Sequence, residues 1–279
     1  MIEALQYDFM RYALVAAIFT GLAAPAIGTF LVQRRLALLG DGLGHVALTG
    51  VALGLLTGIA PTITAVVVAA LGAVLIELLR MYGRTSADVA LAMLFYGGIA
   101  GGVLLTNLAD ESANSLNAYL FGAITTVDSG DLVLVGVLGL VVIVLSLGLS
   151  PQLFAVCQDE EHAKVSGVPV RAYSILIAVL AAVTITVAMR TVGLLLVSAL
   201  MVVPVAASQQ LTRSFRTTHL TAMVIGLFAA VGGLFTSYEI DTQPGPTIVM
   251  IALLVFGVAS LAGAVMSRAR SRRHRVVSS

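Results

Sequence analysis

Asp41 and His45 stand four residues apart in GDGLGHVALTG (40–50), a stretch otherwise built of small and apolar residues. On an α-helix that spacing puts both side chains on one face, one turn apart. A carboxylate oxygen beside an imidazole nitrogen suits a divalent transition metal. Three readings of the pair are open: a metal or ion site, an internal polar contact in which the aspartate orients the imidazole, or a helix start at GDG with Asp41 in its cap. Two ligands do not complete a metal site, because zinc takes four and manganese takes more. A second copy packed about a two-fold axis, the commonest oligomeric symmetry, would bring two aspartates and two histidines together.

The elements that must position this pair follow from composition. The chain has 279 residues, of which 59% are hydrophobic and only 10% charged, far from the roughly 45–50% apolar and 25% charged of soluble domains. Hydrophobic runs of about 18 or more residues recur along its whole length. They predict an all-α, polytopic transmembrane helical bundle with eight to nine spans, at about 11–32, 36–59, 61–80, 88–108, 131–149, 172–189, 192–210, 219–238 and 246–266. The first run lacks a small-residue cleavage pattern and reads as a span, not a removable signal. The segment 114–130 is too short and polar to cross and is expected as a re-entrant or interfacial helix. One transmembrane domain therefore occupies 1–267, and the basic run 268–279 reads as a disordered cytoplasmic tail. With the second helix starting near Leu36, His45 lies about 13 Å along it, close to the middle of a hydrocarbon core about 30 Å thick. Ionisable groups at that depth are costly and mark ion or substrate pathways.

Basic residues near span ends are retained on the cytoplasmic side. Arg34, Arg35, Arg80, Arg84, Lys164, Arg171, Arg213, Arg216 and the tail RARSRRHR all fall on one side if the amino terminus is outside and the carboxyl terminus inside. The opposite loops carry Asp110, Glu111, Asp128, Asp131, Glu239 and Asp241, an acidic surface that attracts cations or a partner's basic patches. Glu239 and Asp241, just before TQPGPT, are the candidate outer point where a cation enters. The tail is short and free of aromatic residues, which fits anionic lipid headgroups and not nucleic acid.

The 27 glycines permit close helix contact in lipid, with Gly40/Gly44 and Gly50/Gly54 as small-residue pairs and GGIAGG (97–102) as a second patch. Pro204 is expected to bend its helix. Glu77 and Arg80, three apart near a helix end, are expected to pair or to snorkel to the interface, and His162, His219 and His274 read as solvated. The single cysteine, Cys157, excludes an internal disulfide. In CQDEEHAKVSGVPV (157–170) the acids and Gly167 predict a short helix from about Asp159 to a glycine stop, the shape of a docking element for a basic groove.

No GxxxxGK[ST] loop precedes the only lysine, Lys164, so any ATP hydrolysis belongs to a separate chain. No HExxH set supports an intramembrane metalloprotease. The alternative to a subunit powered in trans is a secondary transporter driven by an ion gradient, with Asp41 as its proton or cation site.

Five stretches taken in order, RRLALLGDGLGHVALTGVALG (34–54), AYLFGAITTVDSGDL (118–132), DEEHAKVSGV (159–168), RTVGLLLVSALMVVPVAAS (190–208) and DTQPGPTIVM (241–250), resemble the membrane permease of the bacterial zinc, manganese and iron ABC importers. The resemblance implies a type II ABC importer permease fold and an importer of divalent metal. It also implies a permease homodimer in the cytoplasmic (inner) membrane, with two cytoplasmic ATP-binding subunits and an extracytoplasmic metal-binding protein. The metal is transported substrate, and no cofactor is held permanently. The family's metal-contacting Asp and His fall on Asp41 and His45. Its ATPase-coupling loop falls on Asp159, Glu161, Ala163 and Gly167. Two departures stand out: Gly44 replaces a common alanine, and Ala123 stands where many relatives carry an acid.

Overall fold

The computed structural model describes residues 6–82, 87–109, 119–122, 129–189 and 192–277, and every regular element among them is helical. The helices are α1 (Asp8–Gln33), α2 (Leu39–Thr57), α3 (Pro61–Tyr82), α4 (Ala87–Leu108), α5 (Ser129–Gly148), α6 (Ser150–Gln158), α7 (Glu160–Val165), α8 (Val170–Met189), α9 (Leu194–Leu211), α10 (Phe215–Glu239) and α11 (Pro244–Val277). Each of the nine expected spans is a helix, and two short helices, α6 and α7, stand between the fifth and sixth of them.

Seven of the nine are long and apolar enough to cross a membrane on their own. The fifth, α5, is followed after one residue by α6, bent away by 69°. Pro151 at the start of α6 explains the break, because proline fits a first turn and cannot continue the preceding helix. The apolar run of α9 is shorter, Leu196–Leu211. The expected interfacial helix at 114–130 lies mainly outside the described residues. The basic run follows α11 without a helix break as far as Val277.

The helices α1 and α8 are central and mostly buried, whereas α4 and α11 expose most of their apolar surface. One continuous core joins Ile27 and Phe30 of α1, Leu43 and Val51 of α2, Ile177 and Ile185 of α8, and Leu200 and Met201 of α9. Small residues set the spacing, as expected where side chains have no preference for protein over lipid. A Cβ on Gly28 would lie 1.9 Å from the carbonyl oxygen of Met201, so α1 and α9 touch backbone to backbone. Gly193 begins α9 at φ +88, a conformation open to glycine, with its α-carbon against the backbone of Phe121 and Gly122. Two buried threonines satisfy their hydroxyls on their own helices, as Thr29 donates to the Pro25 carbonyl at 2.8 Å and Thr184 to that of Leu180 at 2.7 Å.

The second helix starts at Leu39, three residues later than the sequence suggests, because the chain turns through 34–38 with Arg35 at φ 61. This corrects the expected depth. His45 lies about 9 Å from the helix start, not about 13 Å, and Asp41 stands in the first turn.

Candidate metal site and coupling helix

Asp41 and His45 share one face of α2, the face turned toward α4. Glycines bring the two helices together there: a Cβ on Gly98 would lie 2.7 Å from both the His45 carbonyl carbon and the Val46 nitrogen. Thr49 closes the contact by donating to the Gly98 carbonyl at 2.7 Å. The His45 ring meets Phe95 of α4 edge to face, with centroids 4.6 Å apart. Its Nδ1 is buried and has no hydrogen-bond partner. Asp41 stands one turn before it on the same helix. It lines an open pocket of about 420 Å³ with Leu38, Leu91, Ala92, Phe95 and Tyr96. Leu38 and Tyr96 are 67% and 69% exposed, so this pocket lies at the surface of the chain and not in its core.

The geometry bears on the three readings of the pair. Asp41 occupies the first turn of α2, where the helix dipole favours a carboxylate, but the helix has no side-chain cap hydrogen bond. The imidazole keeps an unused buried nitrogen, which a purely internal pair would have satisfied. Among the described residues no group of three or more His, Cys, Asp and Glu side chains converges. One chain therefore presents a carboxylate that opens onto a surface pocket and, one turn further along α2, an imidazole with a buried, unpaired nitrogen.

The loop after α6 folds as its sequence suggests. Asp159 caps α7, its carboxylate accepting from the His162 amide at 3.0 Å. Gly167, at φ +82, ends the turn, and the Val168 amide returns to the Ala163 carbonyl. The Ala163 side chain is buried against the body, while Asp159 and Glu161 are exposed.

Glu77 and Arg80 do pair, at 3.4 Å, but the sequence concealed the size of the cluster they belong to. Arg34, at the end of α1, reaches Glu77 at 3.8 Å, the Ser174 hydroxyl of α8 at 2.7 Å, and Glu160 of α7. Arg80 also reaches Glu160, at 3.0 Å. Beside them burial pushes the Cys157 thiol up to about 12, against the opposing charges of Arg34 and Arg80; the thiol stays protonated near neutral pH. Arg213, Gln33 and Gln158 line one further cavity at this end, so Arg34 after α1, Arg80 in the last turn of α3, Arg171 in the first turn of α8 and Arg213 after α9 gather at a single end of the bundle.

Two other expectations meet different outcomes. Glu239 and Asp241 are exposed at the turn from α10 to α11, with Asp241 at φ 51, and they do not join Asp41 in a common group. His219, expected to be solvated, is 2% exposed. Its ring stacks on Phe215, contacts Phe30, and lies 3.4 Å from the Ser146 hydroxyl. The aromatic partners come from 4 and 189 residues away, and only the nearer one is visible as a helical i, i+4 neighbour.

The ABC 3 transport family profile matches residues 6–263. The manganese import system permease protein ScaB of Streptococcus gordonii is 32% identical over 254 residues, 91% of each chain. The high-affinity zinc uptake system membrane protein ZnuB of Haemophilus influenzae is 28% identical over 250 residues, 90% of this chain and 96% of that one. Among solved structures, PsaBC from Streptococcus pneumoniae in complex with Fab matches with a TM-score of 0.83 at 30% identity, covering 92% of this chain and 93% of that chain. The family match spans nearly the whole chain, and the chain belongs to the ABC 3 transport family.

Proposed function

We propose that the chain is the permease subunit of an ATP-driven importer that moves a divalent transition metal, zinc, manganese or iron, across the cytoplasmic membrane of a bacterium. The observation that carries this reading is the half-site on α2: Asp41 opens onto a surface pocket one turn from a histidine with an unsatisfied buried nitrogen. A second copy of the chain, packed about a two-fold axis over α2 and α4, supplies the other Asp41 and His45 and completes a four-ligand set. The names of the relatives, one a manganese permease and one a zinc membrane protein, support this class of substrate. The metal is cargo, held transiently, and no permanent cofactor is needed.

Residues 1–267 form the permease domain, and 268–279 extend from it on the cytoplasmic side. The gathering of Arg34, Arg80, Arg171 and Arg213, from four helix ends, at one end of the bundle supports a cytoplasmic face there, with the amino terminus outside and the carboxyl terminus inside. On that face α7, with Asp159, Glu161, Ala163 and Gly167, docks on one of two ATP-binding subunits. On the opposite face Glu239 and Asp241 receive metal from an extracytoplasmic binding protein. ATP binding and hydrolysis on the partner switch the dimer between outward and inward access, and the chain itself catalyses no reaction.

Co-expression with its ATP-binding partner tests the assembly. The expected complex has two permease and two ATP-binding chains, and its ATP hydrolysis rises when the metal-loaded binding protein is added. A chain that purifies without any ATP-binding partner, and whose transport is indifferent to ATP, contradicts the proposal.

A further inference from the structure

The three consecutive acids at 159–161 do three different things. Asp159 caps α7 and Glu161 faces outward, but Glu160 turns back toward the bundle and pairs with both Arg34 and Arg80. The two guanidiniums are shared with a second carboxylate, Glu77, whose side chain is 4% exposed against 51% for Glu160. Arg34 is equally buried, at 5%. Glu77 Oε1 has both arginines within ion-pair range yet makes no hydrogen bond, so it has accepting capacity in reserve.

That arrangement has a mechanical consequence. Separating a buried ion pair is normally prohibitive because a charge is left uncompensated. Here, withdrawal of Glu160 leaves both arginines beside Glu77, so neither guanidinium loses its last carboxylate, and the one positive charge left over falls to Arg80, which is 22% exposed and screened by water. Arg34 is also the C-cap residue of α1, and the turn that follows it, wound through Arg35 at φ 61, delivers the chain to Asp41 in the first turn of α2.

We propose that Glu160 is a positioning residue that couples α7 to the metal-carrying helix: it holds Arg34 and Arg80 in one state and releases them to Glu77 in the other, shifting the α1–α2 turn. The inference rests on the reading that α7 meets an ATP-binding subunit. Glu160 is half exposed, so Glu160→Gln keeps shape and fold and removes only the charge.

The test is reconstitution of the complete complex in proteoliposomes, measuring manganese or zinc uptake and ATP hydrolysis on the same vesicles. Glu160→Gln is expected to assemble normally and hydrolyse ATP within about twofold of wild type, while metal moved per ATP falls by about tenfold. Glu160→Asp, which restores the charge one methylene short, is expected to recover part of that ratio. A Glu160→Gln complex with the wild-type ratio overturns the inference alone. So does a loss confined to assembly, which makes Glu160 a docking residue. Wild-type chain that neither binds an ATP-binding subunit nor takes up metal with ATP overturns the proposed function and this inference together.

Discussion

Asp41→Asn and His45→Ala are each expected to lower ATP-driven metal uptake by at least about 100-fold, while the complex still assembles and hydrolyses ATP. The magnitude follows from ligand chemistry: residues that merely support a metal ligand cost about 10–100-fold when changed, and a ligand costs at least as much. In a two-fold site each substitution removes a donor twice, once from each copy. Asparagine keeps the shape of aspartate in the first turn of α2 and a neutral oxygen for the pocket, so the loss reads the charge and not the packing. The His45 ring packs edge-on against Phe95, so His45→Ala also opens a cavity; His45→Gln, closer in bulk, is expected to give the same loss of uptake. Survival of uptake in both aspartate and histidine variants makes the pair a structural contact and moves the metal path to residues such as Glu239 and Asp241.

Gly28→Ala is the substitution expected to damage the fold most among those that add a single carbon. The new Cβ falls 1.9 Å from the Met201 carbonyl oxygen and 2.7 Å from its carbonyl carbon. Both are backbone atoms of a packed helix, so α1 and α9 must separate. Overpacking of this kind costs about 1–3 kcal/mol, and occasionally more. Gly97→Ala provides the contrast, since nothing lies within 4 Å of its Cβ position. There the change is expected to be neutral or to stabilise the helix by up to about 1 kcal/mol. Thermal unfolding of both variants in the same detergent measures the difference. Equal melting temperatures would show that α1 and α9 are not in backbone contact.

Periodicity and run length carried most of the architecture, because a chain in lipid must bury its backbone polarity in helices. They located all nine long helices among the described residues, and Asp159 and Gly167 marked both ends of α7 through cap and stop chemistry. What they missed came from distance along the chain. The Arg34–Glu160 contact spans 126 residues, and no local pattern announces it. The start of α2 was misplaced because Leu36 and Leu38 read as helix continuation, whereas Arg35 adopts a left-handed turn that restarts the chain. The apolar window around His219 was legible, but its burial was not, since Phe30 and Ser146 arrive from two other helices. For the candidate site, the i, i+4 spacing of Asp41 and His45 was visible in the sequence. The surface-facing pocket that Asp41 lines was not, and that pocket is the feature that argues for a second copy.

The central claim is that metal moves through this chain at the expense of ATP. Its most direct test is uptake of manganese or zinc by proteoliposomes holding the permease, its ATP-binding subunit and the binding protein, with no ion gradient imposed. Metal is expected to accumulate when ATP is present on the side of the ATP-binding subunits and to stop when a non-hydrolysable analogue replaces it. Accumulation that follows an imposed proton gradient with ATP absent would contradict it and identify a secondary transporter.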